Sequence, residues 1–136
     1  MCEDNNIINT SDCGCLNSLF TKIINLQRNN YSCSLENGCD RPFLGPVNNP
    51  ICYNTRPISL YNCQTGSLWS IDYINNNTSS VSSVFRCESI DDCCLTCRIL
   101  IDNGDGTYTS TNHFFTINLN CVSACSCHPD VYIDIC

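Results

Sequence analysis

"VFRCESIDDCCLTCRILIDNGDGTYTSTNHFFTINLNC", residues 84–121, is the stretch whose period sets the fold. Its apolar residues recur at every second position, the period of a half-buried strand, not at the three-to-four spacing of a helix face. "VFRCESI" and "LTCRILI" read as two strands. "DNGDGT" reads as a tight turn into a third, "YTSTNHFFTINLNC". Along 93–101 the odd positions carry Cys93, Leu95, Cys97, Ile99 and Ile101, an apolar row, and the even positions carry Cys94, Thr96, Arg98 and Leu100. This alternation predicts Cys93 and Cys97 on the core side, as packing thiols or internal disulfides, with Cys94 facing outward.

Upstream, "PISLYN" and "SLWSIDYI" flank the turn "CQTG" and predict another hairpin, while "INNNTSSVSS" reads as a polar loop. Downstream, "VYIDI" at 131–135 predicts a last short strand. Before all of these the period is helical. Leu16, Leu19, Phe20, Ile23, Ile24 and Gln27 share one face, with Ser11 or Asp12 as a cap, and predict a helix over 14–28. Residues 31–57 hold four of the five prolines and read as a loop-rich, disulfide-tied segment. Residues 1–12 read as a flexible polar arm, and 13–136 as a single cysteine-rich domain. The expected fold is mainly β (α+β): an antiparallel, disulfide-rich, β-sandwich-like domain with one N-terminal amphipathic helix.

The 136 residues carry a net charge of −7 with six basic side chains, which gives nucleic acid no electrostatic footing. Only 14% of residues are charged, so the surface is largely neutral, rich in Asn, Ser and Thr, and able to pack against copies of itself without desolvating many ions. No run approaches the roughly 18 apolar residues that span a bilayer, and neither nucleic acid nor membrane is an expected partner. Fifteen cysteines is the density of a disulfide scaffold, and the odd number forbids complete internal pairing. "MCEDNNIINTSDCGC" has no basic segment and no apolar run, so it is not expected to direct secretion. The expectation is synthesis in a reducing cytoplasm with the cysteine load of an oxidised protein.

Several chemistries could use these thiols. Zinc would draw on "CVSACSCH", Cys121 to His128, and this metal-binding module is the alternative reading. Cys94 and Cys97 have C-x-x-C spacing, but on a strand residues three apart face opposite ways and cannot chelate one ion. Thioredoxin-like catalysis needs that motif at a helix N-terminus in a βαβ unit, which is not predicted. For a hydrolase, His113 and His128 are the available bases. No nucleophile elbow exists, and His113 reads as a half-buried residue on the inner face of its strand. "DNGDGT" lacks the ligand spacing of a calcium loop. The sequons at Asn9, Asn76 and Asn77 matter only on a secretory route. No active site, metal or cofactor is expected. The thiols are then structural, as locks within the fold and between copies. Cys2 and Cys136, near the two ends, favour bridges between subunits.

The chain resembles the cysteine-rich spore coat proteins Y and Z and exosporium protein Y. The stretches that carry this are "CLNSLFTKIINLQ" at 15–27, "GCDRPFLG" at 38–45, "NTRPISLY" at 54–61, "VFRCESIDD" at 84–92 with "CRIL" after it, and "TINLNCVSACSC" at 116–127. The resemblance runs from Cys15 to Ile135. It implies a non-enzymatic protein, made in the mother-cell cytoplasm, that self-assembles into a disulfide-held hexagonal lattice on the spore surface. Its partners would be itself, as hexameric rings in a sheet, and other coat or exosporium proteins. Cys15, Cys33, Cys39, Cys94, Cys121 and Cys127 fall on the family's cysteine positions. Cys2, Cys13, Cys52, Cys63, Cys87, Cys93, Cys97 and Cys136 are additions. The cross-link candidates are Cys2, Cys13, Cys15, Cys33, Cys39, Cys94, Cys121, Cys125, Cys127 and Cys136, with Cys94 assigned the bridging role.

Overall fold

A computed structural model describes residues 13–29 and 53–135. The arm at 1–12, most of the proline-rich segment, and Cys2, Cys33, Cys39, Cys52 and Cys136 lie outside the described residues. The fold is mainly antiparallel β with one N-terminal helix and an internal disulfide, Cys13–Cys93, as expected of this class.

Helix α1 spans Gly14–Asn29, and its buried residues are Phe20, Ile23, Ile24 and Gln27. The strands are β1 (Ile58–Asn62), β2 (Ile71–Asn75), β3 (Thr78–Ser82), β4 (Phe85–Asp91), β5 (Cys94–Asp102), β6 (Tyr108–Asn118) and β7 (Val122–Cys127). Five of them form one sheet in the order β6-β5-β4-β1-β7, and β2 and β3 form a separate ribbon. Alternation along β5 is as predicted: Leu95, Cys97 and Ile99 are buried on the helix side and Cys94 is exposed. Phe85 meets Phe115 edge to face, ring centroids 4.7 Å apart, in the same core. On the opposite face Leu100 packs with Val84 and Ile133 in a second, smaller core. There Arg86 and Arg98 stand directly opposite each other. The Glu88 carboxylate, carried on the bulge in β4, accepts from both guanidinium groups at 2.7 and 2.9 Å.

The sheet cannot be flat. Strands β6 and β7 are its two edges, which in a flat sheet of five would stand about 19 Å apart. Between Asn118 and Val122 lie only Leu119–Cys121, a 3₁₀ turn, and even an extended chain would reach only about 14 Å over that interval. The sheet therefore curls until its edges approach. Leu119 N–H donates to Cys93 O and Cys63 N–H to Cys121 O, at 2.8 and 3.0 Å. Curling splays β1 from β4, which keep the single register pair Ile58–Phe85. Continuing that antiparallel register places Arg56 opposite Cys87. There the side chain of Gln27 replaces the missing rung: its Nε2 donates to Cys87 O at 2.8 Å, and its Oε1 accepts from Arg56 N–H at 3.1 Å. A polar residue on the apolar helix face is thereby satisfied, and the helix is stitched to both strands.

Three expectations are corrected. β1 does not pair with β2. The "CQTG" turn closes only a short bridge, Tyr61–Leu68, before the chain leaves, and β1 instead lies between β4 and β7. The expected polar loop at 74–83 contains β3. Asn76 and Asn77 both have positive φ (52° and 64°), the requirement of a two-residue hairpin turn that asparagine tolerates. The last segment forms no strand. It makes an isolated bridge, Val131–Thr55, and the Asn54 side chain binds the backbone of Ile133.

Phe20 is fully buried, so Phe20→Asp places an unpaired carboxylate in the core and is expected to cost several kcal/mol, about 3–5, in urea unfolding. Gln27→Leu keeps the apolar face but strands the Cys87 carbonyl and the Arg56 N–H, at about 1–3 kcal/mol for each group left unpaired. An unchanged unfolding midpoint for either variant would contradict the helix placement.

Candidate functional site

Ten cysteines fall among the described residues, and the fold sorts them by environment. At one end of the molecule stand six of them. Cys13 precedes the first turn of α1 and is bonded to Cys93 in the β4–β5 turn. Cys15 is exposed on the first turn of α1, and Cys94 is exposed at the start of β5. Cys121 is exposed in the 3₁₀ turn, and Cys63, also exposed, is joined to it through its backbone. The curl of the sheet is what gathers them. The 119–121 connector touches the Cys93 backbone with one end and the Cys63 backbone with the other.

The second group lies on the core side. Cys87 and Cys97 are opposed across β4 and β5 and are fully buried. Cys125, on β7, is half-buried, and Cys127 at the end of that strand is exposed. Burial pushes the Cys87 thiol well up, reinforced by the neighbouring Cys97. Burial likewise raises Cys97, with Cys125 adding to it. Cys125 is pushed up to about 12, first by burial and then by Cys127. Cys87, Cys97 and Cys125 therefore stay protonated and poorly nucleophilic at neutral pH.

Of the candidates named from the sequence, Cys15, Cys94, Cys121 and Cys127 are exposed, Cys125 is half-buried, and Cys13 is consumed in the internal disulfide. Cys63 was not among them, although its place in a tight turn signalled exposure. Its Sγ lies 3.7 Å from the Asn120 carbonyl. Cys93 was read as core-facing, as a packing thiol or in an internal disulfide, with no partner residue named. Its bond to Cys13 spans 80 residues, beyond what a local pattern indicates.

The segment offered for zinc does not converge. Cys125 and Cys127 share one side of β7, whereas the His128 Nε2 lies 2.9 Å from Ser59 Oγ. Among the described residues, no three ligand atoms of Cys121–His128 come within 4.8 Å of one another; the group that does is Cys13, Asp92 and Cys93. Ser59 is buried, and its Oγ also donates to the Ser83 carbonyl at 2.8 Å. His113, expected half-buried, is exposed. β6 is an edge strand, and the imidazole lies against Tyr73, centroids 5.9 Å apart. Among the described residues no helix is long and apolar enough to cross a membrane. No family model, no curated protein and no solved structure matches this chain.

Brief alkylation of the native protein is expected to modify Cys15, Cys63, Cys94, Cys121 and Cys127, and to spare Cys87 and Cys97 until denaturant is added; peptide mass mapping reads the order. Stability should also fall at alkaline pH. A thiol raised by burial keeps its proton in the folded state where the unfolded chain has lost it. Its contribution is therefore intact below the ordinary thiol value of 9.0 and declines as pH rises beyond it. Urea midpoints measured without oxygen, at neutral pH and above that value, should show this decline. A Cys87→Ala, Cys97→Val variant should show less of it.

Proposed function

We propose that this chain is a structural protein of the bacterial spore surface, in the outer coat or exosporium, that self-assembles into a disulfide-cross-linked, two-dimensional layer. The observation that carries the reading is the partition of the thiols. One pair is spent on locking the helix to the sheet. Two are sealed in the core, and Cys15, Cys63, Cys94, Cys121 and Cys127 are presented on the surface. Exposed thiols held on a helix, strands and tight turns have fixed positions, so bridges between copies form in a defined geometry and not as random aggregates. A single enzyme active site would have no use for five separate surface thiols, whereas a covalent network needs several links per subunit. With 14% charged residues, copies can approach without stripping many ions of water.

The resemblance to spore coat proteins Y and Z and exosporium protein Y adds the biological setting. Assembly follows synthesis in the mother-cell cytoplasm, and cross-links form once the layer meets an oxidising environment. The reading takes the protein as its own main partner, in hexagonal order, with other coat or exosporium proteins anchoring the layer. It assigns no catalytic role.

The protein expressed alone should form rings and extended sheets by electron microscopy. Boiling in detergent should leave ladders of oligomers that only reductant collapses to monomer. Cys94→Ser should weaken this reductant-sensitive assembly with little change in monomer stability. Cys97→Ser should instead lower stability by burying a hydroxyl, at about 1–3 kcal/mol, and leave cross-linking intact. A monodisperse monomer at high concentration without reductant would overturn the proposal.

A further inference from the structure

Cys13, Asp92 and Cys93 each offer a ligand atom, and the three atoms lie within 4.8 Å of one another. Two of the three are joined as a disulfide, so the cluster has a second state, the reduced one. Its backbone does not depend on that bond alone. Asn17 Nδ2 on α1 donates to the Asp92 carbonyl, and Leu119 N–H donates to the Cys93 carbonyl from the other side. Neither hydrogen bond involves a sulfur atom. The Cα atoms of Cys13 and Cys93 are 5.9 Å apart. On a tetrahedral zinc ion, with Zn–S of about 2.3 Å, two thiolates stand about 3.8 Å apart. Side-chain rotation from a backbone already this close can reach that spacing. Cys13 is buried, Cys93 is half-buried and Asp92 is exposed. The exposed carboxylate is then the ligand on the solvent side. Two thiolates and a carboxylate suit zinc over calcium or magnesium, which want oxygen alone.

We propose that the reduced protein binds one zinc ion through Cys13, Cys93 and Asp92, and that oxidation of the two thiolates to the disulfide expels it. The step balances with a low-molecular-weight disulfide such as glutathione disulfide as oxidant. The two thiolates surrender two electrons and form the Cys13–Cys93 bond. The glutathione S–S bond breaks, takes up those electrons and two protons, and leaves as two thiols. Zn²⁺ departs to water. Metal thus guards this pair while the protein is reduced and is exchanged for the covalent tie on oxidation. The site is independent of the shell reading and distinct from the Cys121–His128 segment.

The test uses the full chain, reduced without oxygen and freed of reductant, titrated with Co²⁺ and then with Zn²⁺ as competitor. Thiolate-to-cobalt absorption reports binding. Asp92→Asn keeps both cysteines, and asparagine tolerates the positive φ of 57° at this position. It should weaken one equivalent of metal by about tenfold or more. Cys93→Ser should abolish that equivalent, and Cys15→Ser with Cys94→Ser should leave it unchanged. Adding glutathione disulfide to the zinc form should release that equivalent to a chromogenic chelator, in step with the Cys13–Cys93 peptide seen by mass mapping. Equal metal uptake by the native protein and Asp92→Asn would overturn the proposal, as would a disulfide that forms with the zinc retained. Because Asp92→Asn leaves the disulfide possible, it decides the question even if Cys93→Ser does not fold.

Discussion

Three residues, Leu119–Cys121, carry the chain from one edge of the sheet to the other, and the remaining architecture follows from that constraint. A flat sheet would place its edges farther apart than this connector can reach, so the sheet curls. Curling breaks most of the ladder between β1 and β4. The break leaves a backbone carbonyl at Cys87 and an N–H at Arg56 facing each other without a rung. A helix carrying one carboxamide at the right height mends both, which makes Gln27 as structural as the apolar residues beside it. The same curl draws Cys63 and Cys121 toward the disulfide-bearing turn. The gathering of thiols at one end is thus a result of topology and not of proximity in sequence.

What the sequence disclosed, and what it withheld, divides along the same line. Local periodicity placed the helix within a residue or so, put Gln27 on its buried face, and separated Cys94 from Cys93 and Cys97 in a run of five positions. Each of those inferences needs only the period of one element. Strand partners need the whole chain. Nothing in "ISLYN" says that it will lie between β4 and β7 instead of pairing with the next strand. The β2–β3 turn was missed because an asparagine-rich run looks polar, although two asparagines in left-handed geometry are turn chemistry. His113 was placed by its alternation with Phe115 and Ile117. It falls at the irregularity between the Arg98–Phe114 and Leu100–Ser110 pairs, where three residues of β6 face one of β5, so the alternation does not carry through to it.

The candidate site was legible as a list of residues and not as an arrangement. Cys15, Cys94, Cys121 and Cys127, named for bridging, are exposed. The Cys13–Cys93 tie joins positions 80 residues apart, and many pairings of fifteen cysteines would have been equally compatible with the sequence. Chemistry then follows burial. A thiol in the core is a small apolar side chain, whereas one in a turn is a nucleophile in waiting. Both environments occur within one strand, at Cys97 and Cys94.

The two edge strands have a consequence of a different kind. β6 runs for eleven residues, YTSTNHFFTIN, without a lysine, arginine, aspartate, glutamate or proline, and β7, VSACSC, is equally bare. Soluble sheets ordinarily guard such borders with charge or proline, because an open row of amide donors and acceptors is a template for another strand. Among the described residues neither border strand carries a charge or a proline, and in the proposed layer main-chain adhesion between copies would precede any oxidation of sulfur. Oxidation would then fix contacts that already exist, in the way a mortar sets between stones that are already laid.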